Sequence, residues 1–126
     1  MKLLIQRAQV LSLALASSSC AFFAADPWID RRPAVRTSEL NTRFGYPKCV
    51  VSIQLSQAQA ISRAASVGAT GIDKREDWQE FTELMIAGDE LRHVWCHPRR
   101  GPGGVDFIGI FRGQHLVAEL HTVFVD

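Results

Sequence analysis

This chain of 126 residues is defined first by what it does not contain. It has no Gly-x-Ser-x-Gly turn to present a serine nucleophile. The glycine-rich stretch Gly101-Pro102-Gly103-Gly104 lacks the Gly-Lys-Ser/Thr ending of a phosphate-binding loop, so that chemistry is also unsupported. Charge of one sign is missing too, since 14 Lys and Arg stand against 13 Asp and Glu. A general nucleic-acid binder needs a strong basic surplus to neutralise phosphates, and that balance argues against the class. No run outside the N-terminus reaches the roughly 17 to 25 apolar residues a spanning helix needs. Internal repeats and low-complexity tracts are absent, and cysteine is scarce, at three.

What is present begins at the N-terminus, which reads as an export signal. Lys2 and Arg7 give a positive start, Val10 to Ala16 a short apolar stretch, and Ser19 and Ala21 the small residues a signal peptidase accepts at −3 and −1. The expected cut after Ala21 leaves 105 of the 126 residues, enough for one domain with one core. An alternative makes Cys20 a lipidated N-terminus; against it, Ser17-Ser18-Ser19 supply no aliphatic residue three positions upstream. A third reading is an uncleaved anchor, for which Val10 to Ala25 is short and carries four serines. Membrane association is expected only if Cys20 is lipidated or the signal is retained. The expected location is therefore periplasmic or secreted.

Export decides how the remaining cysteines are read. With Cys20 removed or lipidated, Cys49 and Cys96 are left, and two thiols of a small domain in an oxidising compartment are expected to pair.

Residues 22–48 hold three prolines and little periodicity, and read as an irregular arm in which Trp28, Phe44 and Tyr46 can pack. Residues 49–126 read as a single small α+β domain. Cys49 to Ile53 is a short β-type run. Ser56 with Gln59 makes a capping box for a first helix, whose face is expected to be Ala58, Ile61 and Ala65. Asp73 with Glu76 suggests a second cap, followed by the stripe Trp78, Phe81, Leu84, Met85 and a stop at Gly88. Three strands follow, Leu91 to His97, Val105 to Arg112 and His115 to Val125, the last two joined by the two-residue turn Gly113-Gln114. The expected fold is thus two helices packed on one face of a three-stranded antiparallel meander, after a cleaved signal peptide.

Both sides of that sheet are partly apolar, so both should be covered. Either the arm covers the second face through Trp28 and Phe44, or a partner does, in which case His93, Trp95, Ile108, Ile110, His121 and Val123 form the patch. Arg99 and Arg100, in a glycine-rich loop that frees the backbone, are the other candidate binding residues.

The histidines support little chemistry. On a strand His93 and His97 lie about 13 Å apart, too far to share one ion, so no metal or other cofactor is expected. Cys96 and His97 point to opposite faces and cannot form a nucleophile–base pair. The acids Glu76, Asp77, Glu80 and Glu83 fit the solvated face and start of a helix. The reading these features favour is an exported, disulfide-bonded domain that acts by non-catalytic protein binding, as an inhibitor or immunity-type protein would. The alternatives are a self-associating envelope structural protein, and a small envelope hydrolase with His97 or His121 as base.

Overall fold

Strands β2 (Glu90–His97), β3 (Val105–Arg112) and β4 (His115–His121) form the expected antiparallel meander. Gly113, at φ 62°, and Gln114 turn β3 into β4 and place Arg112 opposite His115. The computed structural model describes residues 26–123. The expected signal peptide 1–21, with Cys20, lies outside those residues, as do Phe22–Ala25, Phe124 and Val125.

Among the described residues the class is α+β, with three helices and a sheet of four strands in the order β1-β2-β3-β4, not the three strands expected. The additional strand is β1 (Lys48–Val51), the start of the β-type run at Cys49, which pairs antiparallel with β2. Four residues are too few to show alternation, so nothing local marked this run as part of the sheet. Along the outer side of β1, Asp30 N–H donates to the Val51 carbonyl (2.9 Å) and Ile53 N–H to the Trp28 carbonyl (2.9 Å). The arm thereby satisfies an edge that would otherwise be open.

Helix α1 (Thr37–Phe44) corrects the expectation of an irregular arm. Leu40 and Phe44 share one helical face, Glu39 and Arg43 suit the two ends of the dipole, and Gly45 closes the helix at φ 75°, its N–H on the Asn41 carbonyl. Helix α2 (Gln57–Ser66) has the expected capping box: Ser56 Oγ accepts from Gln59 N–H, and Gln59 Oε1 accepts from Ser56 N–H. Its buried residues are Ala60 and Ala64, with Ile61 partly buried; Ala58 and Ala65 face solvent, so the expected stripe was displaced around the helix. Helix α3 (Glu76–Glu83) begins later than Asp73 suggested. Residues Ile72–Lys74 form a separate 3₁₀ turn, and Arg75 between them is extended, held by Asp77 and by the carbonyls of His121 and Thr122. With its backbone extended at ψ 144°, Arg75 cannot be the second position of a continuous helix. Gly88 therefore lies in the turn after α3 and is not its stop, and Leu84 lies outside the buried stripe.

Helices α2 and α3 cover one face of the sheet, over Leu91, Ile108, Ile110 and Leu120. The arm and α1 cover the other, where Val35, Leu40 and Phe44 pack against Val94, Phe107 and Phe111. Phe44 thus does what was expected of it, but Trp28 packs against the opposite core. The last strand does not keep one face to one core. The register shifts between Ile110 and Phe111, so that Ala118 opposes Ile110, Leu116 opposes Phe111, and Val117 has no partner on β3. This bulge turns Leu116 to the α1 side while Ala118 and Leu120 stay on the α3 side. Gly109 makes room for it: a Cβ there would lie 2.8 Å from Leu116 Cδ1.

The turn before β2 is tied to β3 by one pair. Arg112 donates twice to Asp89, at 3.0 and 2.9 Å, while Asp89 Oδ2 also accepts from Ile86 N–H. The Arg112 hydrogen bonds, then the Ile86 N–H, hold the Asp89 carboxyl below the usual carboxylate range. A carboxyl lowered on folding contributes stability that is present above about pH 4 and lost as pH falls through its folded value. Asp89→Asn should accordingly flatten the acid limb of a urea-midpoint profile between pH 2 and 7, and an unaltered acid limb would contradict it.

Candidate functional site

Alternation along β2 sorts the candidate residues. His93, Trp95 and His97 point to the α2 side, while Arg92, Val94 and Cys96 point to the α1 side. Cys49 stands directly opposite Cys96 and the two form a disulfide, with 4.0 Å between their Cα atoms. Because Ser52 N–H donates to the His93 carbonyl, the alternation makes 49–96 a non-hydrogen-bonded pair, the position where facing side chains approach most closely.

His93 is buried at the centre of a polar chain that crosses the sheet. Arg63 on α2 donates from Nε to His93 Nδ1 (3.2 Å) and from Nη2 to Asp26 (3.3 Å). On the far side of the ring, His93 Nε2 meets Asp106 Oδ1 at 2.8 Å, and Thr122 donates to the same oxygen at 2.6 Å. A guanidinium can only donate, so Nδ1 is the acceptor and the ring proton sits on Nε2, facing Asp106. Both ring nitrogens are thereby occupied. Arg92, also buried, plays the matching role on the other face, binding Asp30, Glu90 and the Ser52 carbonyl. None of Arg63, Asp26, Asp106 and Thr122 stood out in the sequence, since their relation depends on strand register and not on spacing.

The other histidines have separate surroundings. His97 donates from Nδ1 to the Pro98 carbonyl (3.0 Å) and stacks on Trp95, centroids 4.4 Å apart. His121 points to the α1 side, beside Phe107 and Phe44, with Nε2 3.7 Å from Glu119. His115 binds Glu39 of α1 at 3.0 Å. Among the described residues no group of three or more His, Cys, Asp and Glu is placed to hold a metal ion.

The structure separates the six residues of the expected patch. Ile108 and Ile110 are completely buried beneath α2 and α3 and present nothing to a partner. His93 is locked in the polar chain, and His121 lies on the opposite face from His93 and Trp95. Val123 lies near Gly68, in the segment that follows α2. Only Trp95 remains open, 46% exposed.

Trp95 has company, however. It lies near the end of β2 that leads into the loop carrying Arg99 and Arg100, both exposed, and neither has an ion-pair or hydrogen-bond partner among the described residues. Lys48, opposite His97, lies at the same end. The loop returns to β3 at Gly104, at φ 126°, where a Cβ would collide with the Cys96 carbonyl oxygen. The β3 end of this loop therefore lies close against the Cys96 backbone, while its arginines face solvent.

No family model matches this chain, and neither the curated proteins nor the solved structures contain a match to it. Among the described residues no helix is long and apolar enough to cross a membrane.

Proposed function

We propose that this protein is an exported, disulfide-bonded domain that acts in the cell envelope or periplasm by binding another protein without chemistry, as an inhibitor or immunity-type protein does. The observation that carries this reading is the β2–β3 tip. It offers an exposed indole stacked on an imidazole, at the end of the strand that leads into a loop with two exposed guanidiniums that have no partner among the described residues. Tryptophan and arginine are the residue types on which protein interfaces most often concentrate their energy. The basic charge of the tip, from Lys48, Arg99 and Arg100, favours an acidic partner surface. The Cys49–Cys96 bridge is compatible with an oxidising compartment, where such bonds persist.

The test is capture of the partner from an envelope fraction, followed by titration of the purified pair. Arg99→Asp combined with Arg100→Asp should weaken the dissociation constant on the order of tenfold or more, about 1.4 kcal/mol per decade. Both side chains are exposed, so the thermal midpoint should hold. An unchanged dissociation constant would remove the tip from the interface.

A further inference from the structure

One end of the arm is held by the buried polar chain. Arg63 presents one edge of its guanidinium to two acceptors at once, Nε to His93 Nδ1 (3.2 Å) and Nη2 to Asp26 (3.3 Å). Asp26 in turn accepts from Trp28 N–H (2.9 Å), and the Trp28 carbonyl accepts from Ile53 N–H just after β1. Arg63 thus joins the charge of one imidazole to the position of the arm.

The groups around the His93 ring differ on its two sides. Asp106 of β3 faces Nε2, with Thr122 on the same oxygen, and behind them Arg75 holds the Thr122 carbonyl (3.4 Å). From β1 comes the neutral Ser52, whose Oγ accepts from the His93 backbone N–H. The charged neighbour on β2, Arg92, points to the opposite face and pairs with Asp30 and Glu90. On the Nδ1 side stands Arg63, backed by Asp26.

A second ring proton has one place to go, Nδ1, because Nε2 already carries the first. There it meets a guanidinium that can only donate, so the Arg63 hydrogen bond is lost and two positive charges face each other. Asp106 keeps its contact with Nε2 whether or not Arg63 stays, so the Nδ1 side decides between the two arrangements. Arg63 Nε and Nη2 lie on one edge of a planar group, so turning Nε from the ring also draws Nη2 from Asp26. A cavity of about 80 Å³, bounded by Ile29, Val50, Arg63, His93 and Trp95 among others, gives the guanidinium room to move.

We propose that His93 is an acid-sensitive latch for the N-terminal arm. Its protonation at Nδ1 releases Arg63 from the ring, weakens the Arg63–Asp26 pair, and lets residues 26–29 open more often. Imidazole is the side chain that ordinarily changes charge between about pH 5 and 8, above the ordinary range of carboxylates. Arg92 keeps its hold on Asp30, so the arm loosens from the Asp26 end and stays attached to the sheet. Loosening does not depend on what the β2–β3 tip binds.

The experiment follows the ring nitrogens of His93 by NMR, with amide hydrogen exchange, in the purified protein from about pH 7.5 to about pH 5. Each exchange rate is divided by that of an unfolded chain at the same pH. Protection of the Ile53 amide, which reports on its bond to the Trp28 carbonyl, should fall about tenfold as the ring gains its proton, while the amides of β3 keep theirs. His93→Gln supplies an oxygen that accepts from Arg63 and does not titrate, so protection at Ile53 should then stay level across the range. Arg63→Gln, at a partly exposed site on α2, should show the lower protection already at the start, with no further fall as His93 titrates. That second variant decides the matter if His93→Gln does not fold. A ring that stays neutral throughout overturns the proposal, as does protection at Ile53 that holds while the ring titrates. So does a fall that persists in either variant, since other groups would then be responsible.

Discussion

Replacing Cys49 and Cys96 together with alanine is expected to lower the unfolding free energy by about 4 kcal/mol, the loop-closure entropy for a bridge of this span. The two cysteines are 47 residues apart, and the segment between them includes α2, the 3₁₀ turn and α3. Without the bond, that whole segment gains conformational freedom in the unfolded chain. For a domain of this size the thermal midpoint should fall by on the order of 20 °C. Cys96 is fully buried among Val94, Phe107 and Phe111, so alanine also leaves a small void. Reducing the unsubstituted protein separates the two effects, because it breaks the bond and keeps both sulfurs. Agreement between the two losses assigns the stability to the bond. A fall of only a few degrees on reduction would show that the unfolded chain gains little freedom. Cys49 and Cys96 should also take up alkylating agent in the unfolded protein only after reduction.

The second large effect is expected at His93. His93→Leu should cost about 2 to 4 kcal/mol, because it removes the central partner of a largely buried polar chain and leaves its two neighbours each one partner short. Asp106 would keep only Thr122, and Arg63 would keep only Asp26. Urea unfolding of the single variants and of His93→Leu with Asp106→Asn forms a cycle in which the coupling term should be of order 1 to 3 kcal/mol. Additive losses would mean that the imidazole and carboxylate contribute independently. The tautomer offers a direct check by nitrogen NMR of the ring. A proton on Nε2 with Nδ1 as acceptor fits the donation from Arg63, and the reverse tautomer would contradict it.

Much of the framework could be read from the amino acids, for identifiable reasons. The meander was readable because β3 and β4 are long runs separated by Gly113-Gln114, a turn whose chemistry is local. The start of α2 was readable because Ser56 and Gln59 cap each other three residues apart. The cysteine pairing followed from counting once a compartment was assumed. Helix α1 escaped because its N-cap is Arg36, which makes no side-chain cap, and because prolines on both sides suggested an irregular segment. The start of α3 was misplaced because Asp73-x-x-Glu76 has the spacing of a cap while Arg75 is committed to the end of β4. The candidate patch failed at the bulge and at Ile108 and Ile110. Period-two alternation names the faces of a strand but does not say which face a helix covers. The polar chain through His93 was beyond reach of any local rule. Asp106 lies diagonally across from His93, since Trp95 is its direct partner, and Arg63 arrives from a helix 30 residues away.

The bulge at Val117 also bears on how the chain comes together during synthesis. Of the four strands, β4 is the last to leave the ribosome, and it gives Leu116 to one core and Leu120 to the other. A nascent chain that ends at Arg112 therefore has neither core closed: Phe111 lacks Leu116 and Ile108 lacks Leu120. The two layers cannot mature one after the other. Both are completed only when the final strand docks, so chains that end before His115 should be cut by proteases faster than the whole chain.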